Sequence, residues 1–418
     1  MFLFVDIALF IIALGLGVPI AVLFIECSAA LLSGQSESGA ASTPRPRVAV
    51  LVPAHNEAQG IAATLETILP QLTAQDRLVV IADNCSDETA AIAKRCCASG
   101  VESNEQAQSG HPFDVIVLER QDFERRGKGY ALDYGLQSIK EDPPDVVVMV
   151  DADCIVLQGA IERIAAVAAA NERPVQAIYL MEQPAKPGPK DSVSALAFMV
   201  KNLVRPSGLA QLRLPCLLTG TGMAFPWSAI ANAALASGNI VEDMQLAVDL
   251  AISGQPPLFC RDAKVIGRLP QQTQAAKSQR TRWEHGHLQT LLTQIPRLLR
   301  AALLQKRFDL LALVLELCVP PLSLLVMIWA AVMGGALIAG KLGVSWIPAL
   351  ILAIEGLLIF ISILGAWAKF GRAELPLAAL LAVPFYILWK IPLYLGFLIR
   401  PQTKWIRTER DSVEPSEP

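Results

Sequence analysis

The chain has 418 residues, 53% hydrophobic and 17% charged, with a mean hydropathy of +0.44. That length exceeds one ordinary domain, and the apolar excess excludes a wholly water-exposed globule, so part of the chain faces lipid. The formal charge of -3 hides an asymmetry: Arg297, Arg300, Lys306, Arg307, Arg400, Lys404, Arg407 and Arg410 flank the apolar C-terminal third. Such flanks suit a membrane surface rather than nucleic acid. The eight cysteines include no CxxC pair, so neither a zinc site nor a disulfide framework is indicated. His285 and His287 have no third ligand nearby in sequence and read as part of a polar, membrane-proximal helix.

In chain order, Phe2 to Ile25 is almost uninterrupted apolar, long enough at about 1.5 Å per residue to cross a hydrocarbon layer of roughly 30 Å. It lacks a basic n-region and carries Asp6, which argues for a membrane helix over residues 1–26 rather than a cleaved signal peptide. Residues 27–46 turn small and polar and end in Pro44-Arg45-Pro46, a linker.

From Arg47 the pattern changes to short β-branched runs alternating with helical stretches. Arg47-Pro53, Leu78-Asp83, Val115-Leu118, Val146-Val150 and Val175-Leu180 are the expected strands, parallel in an α/β sheet within a domain spanning 47–288. Ligands of such sheets bind beyond the carboxyl ends of the strands. Residues 190–300 read as mixed and rich in helix formers. Within them Gln289-Arg300 combines helical apolar spacing with basic residues, so an interfacial amphipathic helix is expected over 289–308, with an ordinary core helix as the alternative.

Three apolar stretches follow, near Leu310-Ile338, Trp346-Ala368 and Leu375-Ile399, making a membrane region over 309–400 before a basic, then polar tail at 401–418. Four crossings would place that tail on the side opposite residues 47–300, against the positive-inside tendency. Pro384, Lys390 and Pro392 mark the last stretch as the one to be re-entrant or interfacial. Glu316 and Glu355, the acids deep in these stretches, are expected to pair with Lys390, line a saccharide path or carry ions.

The chemistry-bearing residues sit at strand ends. Strand four runs into Asp151-Ala152-Asp153; two carboxylates one residue apart can hold Mg²⁺ or Mn²⁺ against a diphosphate, although paired acids also occur in plain solvated turns. Strand one ends in His55-Asn56-Glu57 and strand two in Asp83-Asn84-Cys85-Ser86-Asp87. Asp83 is placed to accept hydrogen bonds from a nucleotide, whereas Ser86 and Asp87 read as helix caps. Arg125-Arg126-Gly127-Lys128-Gly129 brings cations and backbone N–H groups to a helix start, as a phosphate site or a solvated basic loop. Glu242-Asp243 opens another helical stretch, where one carboxylate suffices as general base for an acceptor hydroxyl and capping acids are the commonplace alternative. Gln279-Arg280-Thr281-Arg282-Trp283 offers guanidinium groups for a pyrophosphate and an indole for a sugar ring, or else a membrane-interface anchor.

The order of these motifs resembles the family-2 glycosyltransferases of the membrane-integrated, processive kind, similar to bacterial cellulose, hyaluronan and poly-N-acetylglucosamine synthases. The resemblance covers about residues 45–300. It implies a GT-A-type, Rossmann-like nucleotide-sugar domain inserted between transmembrane helices, with interfacial helices beside it. It further implies inverting transfer from a nucleotide-diphosphate sugar, UDP-linked, to a saccharide or lipid-linked acceptor at the cytoplasmic face of a bacterial inner membrane. On that pattern Asp83, Lys128, Asp151 and Glu57 bind the nucleotide sugar, and Asp151 and Asp153 hold the metal. Asp243 is the catalytic base, while Glu242, Gln279, Arg282 and Trp283 serve the acceptor and diphosphate. Membrane lipids and export components are the other expected partners, and nucleic acid is not. The chain departs from the family at Asp-Asn-Cys-Ser-Asp after strand two, where paired Asp followed by Gly-Ser is commoner, at His55 in place of Tyr, and in its few spans, which puts a built-in secretion channel in doubt. A non-catalytic nucleotide-sugar-binding component of an export machine is the alternative from a different class. A transporter is disfavoured because half the chain is an α/β domain.

Overall fold

A computed structural model describes residues 2–34, 44–98, 113–184, 187–236, 241–268, 273–373 and 375–399. Residues 35–43 of the expected linker, the tail at 401–418 and Arg400, Lys404, Arg407 and Arg410 lie outside the described residues, while residues 27–32 continue the first helix rather than a linker. Two compact units emerge: one from Met1–Gln35, Gln183–Pro215 and Thr281–Gln402, the other from Ser36–Glu182, Cys216–Arg280 and Thr403–Pro418.

The elements, in chain order, are α1 (Phe2–Leu32), β1 (Val48–Ala54), α2 (Ile61–Ile68), β2 (Arg77–Asp83), α3 (Thr89–Ala98), β3 (Asp114–Arg120), α4 (Lys128–Ser138), β4 (Val146–Met149), β5 (Cys154–Val156), α5 (Ala160–Asn171), β6 (Val175–Met181), α6 (Pro189–Met199), α7 (Arg205–Gln211), β7 (Met223–Pro226), α8 (Trp227–Ile230), α9 (Glu242–Ile252), β8 (Leu258–Gly267), α10 (Thr273–Gln305), α11 (Phe308–Cys318), α12 (Leu322–Lys341), α13 (Ile347–Ala366) and α14 (Val383–Ile399). A single π-helical turn, Val200–Val204, joins α6 to α7.

In the α/β unit, eight strands form one sheet in the order β3-β2-β1-β4-β7-β6-β8-β5. β1 to β4 are parallel neighbours, as expected of apolar runs such as Val146-Met149, every residue of which is buried. The other half departs from the all-parallel expectation. β7 pairs antiparallel with both β4 and β6, so the expected fourth and fifth strands are not neighbours. Met-Ala-Phe-Pro is too short to show a period in sequence, and Pro226 sits at its end. Helix α4 packs on β1 and β2, where Gly135 permits the approach: a Cβ there would lie 2.9 Å from Ile81 Cδ1 and 3.2 Å from Leu51 Cδ2.

Because β1, β2 and β4 are parallel, their carboxyl ends deliver His55-Asn56-Glu57, Asp83 and Asp151 to one edge. β7 runs the opposite way, so its entry, Gly220-Thr221-Gly222, reaches the same edge, with Met223 opposite Met149.

Among the described residues, the helical unit contains four helices long and apolar enough to cross a membrane: Leu3–Leu32, Leu322–Lys341, Ile347–Gly371 and Leu380–Ile399. Their outward faces carry exposed Phe4, Ile7, Ile11, Leu350, Ile354, Leu357 and Phe360. An apolar surface of that extent fits association with lipid. The expected span Leu310-Ile338 is broken: Pro320-Pro321 separates the 11-residue α11 from α12, because neither proline can donate a helical hydrogen bond.

Small residues allow the helices to meet closely. A Cβ at Gly208 of α7 would overlap the backbone of Glu26 in α1, and one at Gly17 would lie 3.1 Å from Glu355 Oε1. Lys369 Nζ donates to the carbonyls of Ala30 (3.0 Å), Leu31 (2.9 Å) and Ser33 (2.7 Å), closing the end of α1. Arg205 is buried and paired: its Nε donates to Glu26 Oε2 at 2.5 Å and its Nη2 to the Glu316 carbonyl at 2.8 Å. Lys390 pairs with Glu284. His285 Nε2 meets the Leu393 carbonyl at 3.0 Å. His287 is buried, and burial, with Lys201 and Arg205 near it, holds its pKa well below the ordinary value, so it stays neutral.

Candidate active site

The DxD turn begins where the buried β4 stops. The Asp151 backbone N–H donates to Thr221 Oγ1 (3.0 Å), and the Ala152 carbonyl accepts from Thr64 Oγ1 (2.8 Å), which fixes the turn between β7 and α2. Asp151 and Asp153 each bring a carboxylate oxygen, and Cys154 its Sγ, within 4.8 Å of one another. Burial first, then Asp153 and Asp151, push the Cys154 thiol well above its ordinary pKa, so it remains protonated. The available donors are therefore carboxylate oxygens, a set that fits a hard divalent cation.

Lys128 opens α4 after Gly127, whose φ of 132° favours glycine. Its ammonium pairs with Asp151 Oδ1, donates to the Gly220 carbonyl at 2.6 Å, and lies 4.0 Å from Glu242 Oε1. Against the cost of burial, Asp151, Glu242 and Asp243 keep it charged. Gly220, at φ +92°, lets the turn pass: a Cβ would sit 3.3 Å from Asp243 Oδ2 and 3.6 Å from Lys128 Nζ.

Glu242 and Asp243 form the first turn of α9. Asp243 Oδ1 accepts from the Met244 N–H at 2.8 Å, and Oδ2 is the oxygen beside Gly220. Burial raises Glu242 to about 7; Lys128 opposes the shift and Asp243 adds to it. Asp151 is raised by burial, opposed by Lys128 and reinforced by Asp153. The Lys128 ammonium is thus flanked by Asp151, Glu242 and Asp243.

Asp83 ends β2 and is buried, with Arg120 Nη1 donating to its Oδ1 at 2.5 Å. Arg120 Nη2 donates onward to Asp122 Oδ2 (3.1 Å) and to the Arg125 carbonyl (2.9 Å), so it also shapes the loop that leads to Lys128. His55 Nδ1 meets the Asp83 carbonyl at 2.6 Å. Glu57 donates its N–H to Thr89 Oγ1 (2.8 Å). A Cβ at Gly60 would meet Glu57 Oε2, the Ala152 carbonyl and Asp153 Cα, all within 3.5–3.8 Å, so that carboxylate borders the DxD backbone. Asp87 caps as expected, accepting from the Thr89 N–H (3.0 Å) and Oγ1 (2.5 Å). Ser86 does not cap: its N–H donates to Asn56 Oδ1 at 2.7 Å, joining the first two turns.

The structure therefore gathers Glu57, Asp83, Lys128, Asp151, Asp153, Glu242 and Asp243 at one edge of the sheet. Gln279 belongs to the same unit and is buried. Arg282 and Trp283 belong to the helical unit, where the Trp283 ring lies 6.0 Å from that of Phe198. Two positioning residues escaped the sequence reading. Arg120 could have been found from the strand register, which sets it opposite Asp83. Gln176, fully buried on β6, accepts from the Thr219 N–H (2.8 Å) and donates to the Thr221 carbonyl (2.9 Å), holding the turn that carries Gly220 and Thr221. No local signal marks it.

The chain belongs to the glycosyltransferase like family 2, whose sequence profile matches residues 44–286. It is a glycosyltransferase of GT-A-type fold. Among solved structures, it is similar to the mannosyltransferase PcManGT from Pyrobaculum calidifontis in complex with GDP-Man and Mn²⁺, with 19% identity over 94% of this chain and all of that one, at a TM-score of 0.55. It is also similar to glucosyl-3-phosphoglycerate synthase from Mycobacterium tuberculosis, with 21% identity over 51% of this chain and 68% of that one, at a TM-score of 0.34. No curated protein matches the chain.

Proposed function

We propose that this chain catalyses inverting transfer of a hexose from a nucleoside diphosphate sugar to a growing glycan at the cytoplasmic face of a membrane, with Asp243 as the base. The observation that carries this reading is the convergence of Asp151, Glu242, Asp243 and the Gly220 carbonyl around the Lys128 ammonium. Asp151 and Asp153 are the residues that hold Mg²⁺ or Mn²⁺, which, when bound, offsets the charge of the leaving diphosphate.

The remaining work falls to the chain. Asp243 Oδ2 takes the acceptor hydroxyl proton while Oδ1 stays fixed by the Met244 N–H, so the carboxylate keeps one orientation. Lys128, kept charged in part by Asp243, adds positive charge where the diphosphate develops its own negative charge. Asp83, held by Arg120, and Glu57 line the nucleotide side, and Gln279, Arg282 and Trp283 keep the diphosphate and acceptor roles that the resemblance gives them. Exposed Leu292, Leu299, Leu303 and Leu304 on α10, near Arg297 and Arg300, support an interfacial position for that helix.

Detergent-purified protein would be offered UDP-glucose, UDP-N-acetylglucosamine and GDP-mannose with Mn²⁺, the last because PcManGT was solved with GDP-Man. Turnover of one donor, lost in Asp153→Ala, is the expected result. Folded protein that consumes none of a full donor panel would leave the scaffolding role instead.

A further inference from the structure

We infer that Lys128 is an exchangeable counter-ion: its ammonium and a divalent cation compete for the Asp151 carboxylate, and cation binding sends the ammonium toward Glu242 and Asp243. The inference rests on the reading of Asp151 and Asp153 as metal ligands given above, and it concerns this chain's own lysine.

Three observations carry it. Lys128 Nζ is in direct contact with Asp151 Oδ1, and an Asp151 oxygen is one of the donors grouped within 4.8 Å together with Asp153. Two cations in contact with one carboxylate repel each other strongly in a half-buried site, so both cannot keep their full contact. A second position stands ready: Glu242 Oε1 is 4.0 Å from Nζ, and Asp243 Oδ2 and Nζ lie 3.3 and 3.6 Å from the point that a Cβ at Gly220 would occupy. The Gly220 carbonyl, which accepts from Nζ at 2.6 Å, serves as the pivot for a move of about 1 Å, and a lysine stem supplies that freedom at little cost. The same movement would bring positive charge to the Glu242-Asp243 pair when the donor site fills.

The test is Mn²⁺ affinity, read by electron paramagnetic resonance without nucleotide at about 0.15 M ionic strength, where charges farther than roughly 8 Å are screened. Lys128→Met removes the competitor, Lys128→Arg retains the charge, and Arg126→Met removes an exposed cation from the same loop. A cooperative thermal transition for each variant establishes folding. Lys128→Met should bind Mn²⁺ at least tenfold more tightly than the natural protein, with the other two within about threefold of it. Equal or weaker binding by folded Lys128→Met overturns the exchange and leaves the metal site standing. If neither the natural protein nor Lys128→Met binds Mn²⁺, the metal reading and the exchange fall together. A gain in Arg126→Met as large as that in Lys128→Met would reduce the effect to general electrostatics, which also overturns it.

Discussion

Buried charge is handled in two different ways in this molecule. In the helical unit two buried cations are closed into pairs, Arg205 with Glu26 and Lys390 with Glu284, while Glu355 is buried beside Gly17. At the carboxyl edge of the sheet it is gathered into a cluster, with the Lys128 ammonium facing Asp151, Glu242 and Asp243, and Asp153 beside Asp151. Closed pairs anchor helices where a lone charge would be costly. An acidic cluster of this kind is expected where a cation and a diphosphate are to be received. The contrast separates residues that hold the fold from residues proposed to react.

The largest effects should come from breaking each kind once. Asp243→Asn should lower kcat about a thousandfold, within the usual range for a positioned base, while leaving the melting temperature unchanged or higher because a like charge has gone. Glu242→Gln should keep at least a tenth of the activity; a reversed order in kcat would make Glu242 the base. Arg205→Met should have the opposite character, costing about 3–5 kcal/mol in thermal or denaturant unfolding by leaving Glu26 buried and unpaired. If Arg205→Met is as stable as the natural protein, the closed pair is not an anchor.

Smaller effects sharpen the contrast. Glu242 has a folded pKa of about 7 against an ordinary 4.5, so the folded state binds its proton more tightly. That contribution to stability is complete below pH 4.5 and is lost as pH rises through 7. Stability should fall across this window by on the order of 1–3 kcal/mol, and Glu242→Gln should flatten the slope. Gln176→Leu should cost about 1–3 kcal/mol and reduce turnover, because the Thr219 N–H and Thr221 carbonyl lose their partner. Gly220→Ala, forced into a positive φ beside Asp243, should cost about 1 kcal/mol and lower kcat more than it raises KM for the donor.

The legible part of the fold is the part fixed by local pattern. β1, β2 and β4 are near-continuous apolar runs, and their parallel pairing alone brings Asp83, Asp151 and the Glu57 turn together. What was missed depends on partners distant in sequence. β5 has three residues and β7 four, too few for a period, and β8 mixes Arg261, Asp262 and Lys264 among apolar residues. Arg120 and Gln176 look ordinary until the strand register sets one opposite Asp83 and the three-dimensional fold sets the other under the 219–222 turn. The break at Pro320-Pro321 was readable, since consecutive prolines end a helix, but apolar content alone had joined α11 to α12.

The most direct test of the acidic cluster as a reaction centre is single-turnover release of nucleoside diphosphate from the preferred donor, with donor affinity measured alongside in the natural protein and Asp243→Asn. The expected result is donor affinity within threefold and release slowed about a thousandfold. Release at the natural rate in folded Asp243→Asn would contradict the account.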